Sequence, residues 1–262
     1  MAHDTVEPGL AQQIRALGVR PGGICMVHAA FKSLALPDER ITDVITALID
    51  ALGPEGTLIM PTHAGWDGVY DHDSSPSVTG ALTEVFRTQY PSLRSRHPTH
   101  SCSALGKMAR EAVAGHEQGY AVGTGSPCEF VYEHSGQVLL IGVDLMVATI
   151  VHLAEFYVNV AYLCARQRRL RNDDGQCVTR MLTRQPGHSN GFVKLEPLLK
   201  QYGHIRYGSI ESASCRLFDA RGAVDAAVRM LTDDPAALLC DDPNCSNCNE
   251  SRRLIRVEVN SA

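Results

Sequence analysis

Hydrophobic and polar positions follow two alternating spacings along the first part of the chain. Apolar side chains recur every three or four positions over Leu10–Leu17 and Ile41–Leu52, which predicts two helices. Short apolar runs bounded by glycine or proline predict three strands, over residues 24–28, 57–60 and 138–143. Strands that alternate with helices are typical of a sheet containing parallel pairs, so we expect an α/β fold.

Weaker patterns predict the remaining elements. We expect helices over residues 80–88, 103–114, 149–164, 191–202 and 223–231, a short helix starting at Asp234, and strands over residues 178–182 and 209–218. Residues 62–80 carry little periodicity, and a loop of this length in a compact domain is often functional. We expect a central mixed, largely parallel sheet flanked by helices, in one domain over residues 1–262. Its core would span 1–165 and an α+β lobe 166–262.

Composition and charge narrow the classes of function. Aromatic residues make up only 6% of the chain and the net charge is −5, which disfavours base stacking and general polyanion binding. We therefore expect no nucleic-acid partner. Residues 1–9 are polar, no apolar run reaches transmembrane length, and nine cysteines suit a reducing compartment, so we expect a cytoplasmic monomer or homodimer without membrane contact. The basic run Arg166–Arg171 is interpreted as a solvated helix end.

The strand over 138–143 leads into a candidate catalytic motif, Thr149-x-x-His152-x-x-Glu155. On a helix these three side chains share one broad face, just beyond the C-terminal end of a buried strand, where open α/β sheets commonly build their sites. A histidine beside a carboxylate can accept a proton from a nucleophile at neutral pH. The alternative is that Thr149 caps the helix and His152 is a hydrogen-bonded core histidine.

Six segments in a fixed order carry a resemblance to a known family. They are 21–23 leading to Val27-His28, 52–62, Arg94-Ser95-Arg96-His97-Pro98, Gly125-Ser126-Pro127, 136–142 and 149–155. From about residue 10 to residue 165 this array resembles the aminoglycoside 3-N-acetyltransferase family. The resemblance implies transfer of an acetyl group from acetyl-coenzyme A to an amine of an aminoglycoside antibiotic, which confers resistance. It also implies the α/β sandwich of that family.

The resemblance implies roles for individual residues. His152 would act as general base and Glu155 would orient it or hold a substrate ammonium, while Thr149 would donate to the oxyanion or the thiolate. No cysteine has a recognisable nucleophile context, so we expect direct attack on the thioester without an acyl-enzyme. Coenzyme A contacts are expected from His28, Lys32, Ser33, Arg94, Ser95, His97 and Ser126. For 94–97 the alternative is a charged turn without a ligand. Ser126 would also serve as a helix N-cap.

The loop from His63 to Asp73 is the expected place for substrate contacts. Asp67, Asp71 and Asp73, together with Glu155, would form an acidic rim for a polycationic antibiotic. A solvated acidic loop is the alternative interpretation. The sequence favours neither of the two.

Two departures from the family pattern leave the acceptor open. Ala29-Ala30 stands where the family commonly has two serines, and the loop over 144–148 is more apolar than usual. A biosynthetic acyltransferase acting on another amine, or a silent binding homologue, are therefore alternatives. A metal-dependent hydrolase using His63, His72, His97 and His100 is least favoured, because no two of them show helical ligand spacing within a clear helix.

Three cysteines near the C-terminus form a C-x4-C-x2-C pattern, Cys240, Cys245 and Cys248. The C-x2-C part suits a zinc knuckle, with His188 or Cys177 as candidates for the fourth ligand. A complete site normally shows two such pairs. Ordinary reduced thiols are therefore favoured, and a structural zinc is the minority hypothesis.

Overall fold

The computed structural model describes residues 9–259, which contain nine strands and nine helices. The strands are β1 (Ile24–Ala29), β2 (Thr57–Pro61), β3 (Leu93–Arg94), β4 (Cys102–Gly106), β5 (Gln137–Ile141), β6 (Cys164–Arg171), β7 (Cys177–Gln185), β8 (Ile205–Ile210) and β9 (Ala213–Asp219). The helices are α1 (Leu10–Leu17), α2 (Ile41–Leu52), α3 (Ala81–Gln89), α4 (Ala109–Val113), α5 (Pro127–Glu133), α6 (His152–Val158), α7 (Glu196–Gln201), α8 (Ala220–Asp233) and α9 (Ser246–Val259). None of the described helices is long and apolar enough to cross a membrane.

Seven strands form the main sheet in the order β3-β4-β2-β1-β5-β9-β8, and β6 pairs with β7 in a separate ribbon. In the described part of the chain, β1 is parallel to β2 and β5, and the other four pairings of the main sheet are antiparallel. The α/β class and the mixed sheet flanked by helices are confirmed. Parallel pairing is confined to the centre, so the sheet is not largely parallel. The reason is that the β8–β9 hairpin extends the sheet from β5, and β4 returns antiparallel beside β2.

The central strands are covered on both faces. In β1, Met26 packs into one core cluster while its neighbours Cys25 and Val27 pack into the other. In β5, Val138 and Leu139 divide between the clusters in the same way. Burial on both faces explains why these strands read as continuous apolar runs rather than alternating ones.

Three predicted elements differ in the structure because tertiary contacts override local pattern. Residues 103–114 are not one helix, since 102–106 form β4, where buried Ser103 pairs with Met60 and shares a hydrogen bond of 3.1 Å with Thr62. The helix predicted over 149–164 ends at Val158, because Asn159 adopts a left-handed φ of 56°. The strand predicted over 209–218 is instead a hairpin of two strands.

The interpretation of the basic run Arg166–Arg171 as a helix end is wrong, because the run lies in strand β6. Arg168 is buried in this strand, whereas Arg166, Arg169 and Arg171 are exposed. The Arg168 guanidinium donates to the carbonyls of Gly65, Trp66 and Gly68, which fixes the loop over 62–80 against the ribbon. A charged side chain thus holds the long loop from its interior side.

The C-terminal part contributes to the main sheet as well as to its surface. Strands β8 and β9 extend the sheet from β5, and α8 packs across it in the larger core cluster. The short helix expected from Asp234 is a turn, and α9 has no counterpart among the predicted elements. The division into a core and a lobe stays a prediction.

Candidate active site

A cleft of about 660 Å³ opens at the carboxyl ends of β1, β2 and β5. Crevices beyond the carboxyl ends of parallel strands are the usual ligand sites of open α/β sheets. The ends of β1 and β2 supply His28 and Pro61, and the loop after β5 supplies Val143 and Met146. The other lining residues are Val27, Ala29, Ala30, His63, Val78, Thr79, Gly80, Thr83, His100, Val147, Thr149, His152, Gly187 and Ser189.

His152 and Glu155 are hydrogen-bonded to each other at the wall of this cleft. His152 begins α6, and its Nδ1 lies 2.6 Å from Oε2 of Glu155 one turn later. The second oxygen of Glu155 accepts a hydrogen bond of 3.0 Å from the hydroxyl of Tyr162. Burial raises the pKa of Tyr162 far above its usual value, so this hydroxyl keeps its proton and donates. Glu155 is fully buried, and both its oxygens are satisfied.

This arrangement determines which nitrogen of His152 is available as a base. An ionised carboxylate only accepts hydrogen bonds, so Nδ1 of His152 carries a hydrogen and donates to Glu155. Nε2 is then the nitrogen with a lone pair. No described residue forms a hydrogen bond with this nitrogen. The ring of Phe192 packs edge-on against the imidazole, with 4.6 Å between the ring centroids. A base can therefore act at Nε2.

Thr149 lies in the short 3-10 turn Thr149–Val151 that precedes α6, and its side chain lines the cleft. Its hydroxyl reaches the carbonyl of Val147 at 3.5 Å, a length at which a hydrogen bond is weak. The hydroxyl is thus available to a ligand. The structure brings Thr149, His152 and Glu155 together, and their catalytic roles stay predictions.

Three further histidines line the cleft, and of these only His28 is singled out for this site by the sequence analysis. Burial lowers the pKa of His28 to about 4 and that of His63 to about 3, so both rings are neutral. The Nε2 atoms of both are buried without a hydrogen-bond partner in residues 9–259. The ring of His100 lies 4.8 Å from that of His63. Because these residues lie at a strand end or in irregular loops, no periodic signal places them here.

Within residues 9–259, the candidate ligands of the least favoured alternative, a metal-dependent hydrolase, do not assemble into a metal site. The one group of His, Cys, Asp or Glu side chains close enough to share an ion, within the described part of the chain, contains none of His63, His72, His97 and His100.

Arg94 holds the long loop and does not line the cleft. Its guanidinium donates to the carbonyls of Thr62, His72 and Ser75 and to the hydroxyl of Ser101, which uses four of its five N–H groups. Its expected contact with a coenzyme phosphate therefore lacks support in this geometry.

Ser95 and His97 are buried and also lie outside the cleft lining. The hydroxyl of Ser95 donates to Nδ1 of His116 at 2.8 Å and accepts from the backbone of Cys102. Nδ1 of His97 accepts from the backbone N–H of His100 at 3.1 Å. Both side chains are engaged within the fold, so their expected coenzyme contacts are not supported.

The remaining coenzyme candidates divide between the interior and the surface. Ser126 caps α5 by accepting from the backbone N–H of Glu129, as expected for a helix N-cap. Ser33 donates to the carbonyl of Ala30 at 2.6 Å and lies against Gly142. Lys32 is exposed in the neighbouring 3-10 turn Phe31–Leu34. None of the three lines the cleft, and their coenzyme roles stay predictions.

The acidic residues of the long loop do not line the cleft either. Asp67 and Asp73 are exposed. Asp71 accepts hydrogen bonds from the backbone N–H groups of Asp73 and Ser74 and pairs with Arg171 at 3.1 Å. The hydrogen bond from Ser74 holds the pKa of Asp71 below its usual value. Asp71 thus closes its own loop, and an acidic rim stays a prediction.

The C-terminal cysteines lie apart from these residues. His188, Cys240, Cys245 and Cys248 present ligand atoms that are all within 4.8 Å of one another. Cys177 is exposed in β7 and is not part of this group.

Comparison with known proteins identifies the fold and the family. The sequence profile described as aminoglycoside 3-N-acetyltransferase matches residues 26–232. Aminoglycoside N(3)-acetyltransferase IV of Salmonella sp. is 30% identical over 245 residues, which cover 91% of this chain and 92% of that protein.

Solved structures agree with that relationship. A histidine-to-alanine mutant of the aminoglycoside acetyltransferase AAC(3)-IVa, in complex with a gentamicin, is 30% identical and superposes with a TM-score of 0.87 over 96% of this chain and 100% of that one. AAC-IIIb, in its binary complex with CoASH, is 26% identical with a TM-score of 0.77 over 86% of this chain and 95% of that one. The chain therefore belongs to the aminoglycoside 3-N-acetyltransferase family.

Proposed function

We propose that this protein transfers the acetyl group of acetyl-coenzyme A to the 3-amino group of an aminoglycoside antibiotic, and so confers resistance to it. Family membership supports the reaction, and relatives are described with a gentamicin and with coenzyme A. The single observation that carries the proposal is the His152–Glu155 pair, 2.6 Å apart, at the wall of the cleft.

We propose the following steps, which this geometry supports. The neutral amine attacks the thioester carbonyl carbon, and Nε2 of His152 accepts the amine proton. The C–S bond then breaks and the proton passes to the coenzyme sulfur, which leaves an amide and a free thiol. The buried carboxylate of Glu155 stabilises the positive charge that forms on the imidazole, and it holds the ring with Nε2 available as the base.

Charge also develops on the substrate side. The carbonyl oxygen of the thioester becomes an oxyanion during attack, and a donor at this point lowers the barrier. Thr149 lines the cleft with a hydroxyl that is only weakly bound to Val147. We assign it as donor to the oxyanion or to the leaving thiolate.

The test replaces the proposed base, and the same substitution at an exposed histidine serves as the control. In His152→Ala, we expect kcat for thiol release from acetyl-coenzyme A and an aminoglycoside to fall about 10²–10⁴-fold, because general-base assistance is lost. Coenzyme affinity should stay within a few-fold. His134→Ala, at an exposed position after α5, should retain wild-type turnover. Wild-type turnover in folded His152→Ala would overturn the assigned base, and no thiol release by the wild type with any aminoglycoside would overturn the acceptor class.

A second candidate function is acylation of a different amine. Ala29, Ala30, Met146 and Val147 line the cleft, so the two departures from the family pattern lie on its wall. These side chains offer no hydrogen bond to a hydroxyl-rich ligand. Thiol release measured with a panel of aminoglycosides and simpler amines distinguishes the two acceptors.

The cellular compartment and the oligomeric state are also proposals. All nine cysteines are unpaired, which suits a reducing cytoplasm, where we place the protein as a monomer or homodimer.

A further inference from the structure

We propose that His188, Cys240, Cys245 and Cys248 bind one Zn²⁺ ion at a structural site separate from the cleft. The four side chains come from two distant parts of the chain, the loop after β7 and the segment that leads into α9. Three cysteines and one histidine are a ligand set typical of structural zinc. The sequence pattern identifies three of these ligands and leaves His188 or Cys177 as the fourth, and the fold brings His188 to them.

The distances between the ligand atoms suit a tetrahedral ion. Zinc bonds of about 2.3 Å to sulfur and about 2.0 Å to nitrogen place neighbouring ligand atoms about 3.5–3.8 Å apart. Here Nδ1 of His188 lies 3.4 Å from Sγ of Cys245 and 3.6 Å from Sγ of Cys248. Sγ of Cys240 lies 3.3 Å from Sγ of Cys248. The side chains are therefore already gathered at about the spacing that the ion requires.

The local backbone favours thiolates at these positions. The N–H of Cys240 points to Sγ of Cys248, and the N–H of Cys248 points to Sγ of Cys245, both at 3.4 Å. Such donors stabilise the negative charge of zinc-bound sulfur. The guanidinium of Arg252 donates to the carbonyl of Cys240, which places a cation beside a site whose three thiolates and one Zn²⁺ carry a net charge of −1.

A tight turn brings the cysteines together. Asp242 accepts from the backbone N–H groups of Asn244 and Cys245, at 2.9 Å and 3.2 Å. Helix α9 begins directly afterwards, so Cys245 and Cys248 lie one turn apart on one side of its start. Cys240 and Cys248 are buried, and Cys245 is half-buried. Four protein ligands leave no open position for a substrate, so the ion would be structural rather than catalytic.

The site links α9 to the wall of the cleft. The neighbours of His188, Gly187 and Ser189, both line the cleft. Gly187 also packs on the ring of Tyr162, whose hydroxyl holds Glu155. A bound ion would thus hold in place the loop that packs beside the catalytic pair.

Metal analysis of the purified full chain tests the proposal. The wild type, purified without added metal or chelator, is expected to contain one zinc per chain by elemental analysis and native mass spectrometry. Cys245→Ser and His188→Ala are each expected to lose that zinc, whereas His188→Cys keeps four ligands and should retain it. Cys177→Ser, which changes an exposed cysteine outside the group, is the matched control and should also retain one zinc.

Two further measurements keep the proposal testable if a variant folds poorly. Cobalt(II) added to the chelator-treated wild type should give the sulfur-to-metal charge-transfer band and the ligand-field bands of a tetrahedral thiolate site. A chelator should lower the melting temperature of the wild type by several degrees and leave Cys245→Ser unchanged. Three results would each overturn the site. They are a folded, metal-free wild type that fails to take up zinc or cobalt, zinc retained in Cys245→Ser, and a disulfide between Cys240 and Cys248 in the protein as purified.

Discussion

Glu155 is the side chain on which the proposed chemistry of the cleft depends most. A buried carboxylate is costly unless it is paired and hydrogen-bonded, and here His152 and Tyr162 satisfy one oxygen each. The spacing of His152 and Glu155 can be read from the sequence because both lie within one helical turn. The contribution of Tyr162 cannot, because the helix ends at Val158 and the chain turns back before the hydroxyl donates.

Glu155→Gln removes the charge and keeps the size of the side chain. An amide has only one acceptor oxygen, so it cannot accept from the imidazole with one oxygen and from the tyrosine hydroxyl with another. It also carries no charge to stabilise an imidazolium. We expect kcat to fall about 10²-fold or more, with coenzyme affinity nearly unchanged. Tyr162→Phe removes only one hydrogen bond, so its effect on kcat should be clearly smaller. Equal turnover in wild type and Glu155→Gln would show that the carboxylate has no part in catalysis.

Arg94 illustrates a residue whose role depends on contacts that the sequence does not reveal. Its donors serve carbonyl oxygens of the long loop and of the end of β2. Arg94→Ala leaves these acceptors without partners, and we expect a loss of about 2–4 kcal/mol in the free energy of unfolding, measured by urea denaturation. Coenzyme affinity, measured by titration at a temperature where the variant is folded, should change less than threefold. A stable variant with strongly weakened coenzyme binding would instead restore the phosphate contact expected from the sequence.

The elements that are predicted correctly are those whose pattern is local. Helices α1 and α2 have long apolar stripes, and strands β1, β2 and β5 are buried on both faces, so periodicity and run length suffice to find them. The sequence predicts a helix across β4 and a helix end across β6, because partners distant in the chain create the environment of these strands, whereas it predicts most of β7 as a strand over residues 178–182. The three other histidines of the cleft lie at a strand end or in loops. Because the tertiary fold brings them together, no spacing in the sequence predicts their proximity.

The connection after β5, which leads toward the 3-10 turn Thr149–Val151, contains a tight contact. Gly142 has a φ of 65°, and a Cβ at this position would lie 1.7 Å from the hydroxyl of Ser33. Gly142→Ala should therefore cost more than about 2 kcal/mol of stability, from the clash and the left-handed backbone together.

A double-mutant cycle separates these two contributions. Ser33→Gly removes the side chain that would collide with the new Cβ. The double variant Ser33→Gly with Gly142→Ala should therefore regain most of the stability that the clash removes, and keep only the backbone cost of about 1 kcal/mol. Chemical denaturation of the four proteins provides the measurement. Additive effects would mean that Ser33 is not the obstacle at this position.

Across residues 9–259, several buried histidines lie in or near the cleft in a neutral state. Burial lowers the pKa of six of them, and for most of these the neighbouring histidines and arginines lower it further; the six are His28, His63, His72, His97, His100 and His116. Neutral rings offer both a donor and an acceptor, which suits a cleft that binds a polar ligand. Their proximity also makes the folded state sensitive to acid.

The sign of that sensitivity follows from proton uptake. In the unfolded chain a histidine binds a proton near pH 6.5, whereas folded His28 does so only near pH 4, so the unfolded state holds more protons between these values. Stability should therefore be full above about pH 7 and fall as the pH drops, by about 1 kcal/mol per such histidine between about pH 7.5 and about pH 5.5. For the set we expect a loss of at least about 3 kcal/mol, measured by urea denaturation across this range. His28→Gln should reduce this loss of stability by about the contribution of one histidine, whereas the exposed control His134→Gln should leave it unchanged. Stability that does not change between about pH 7.5 and about pH 5.5 would mean that these rings can be protonated within the folded protein at little cost.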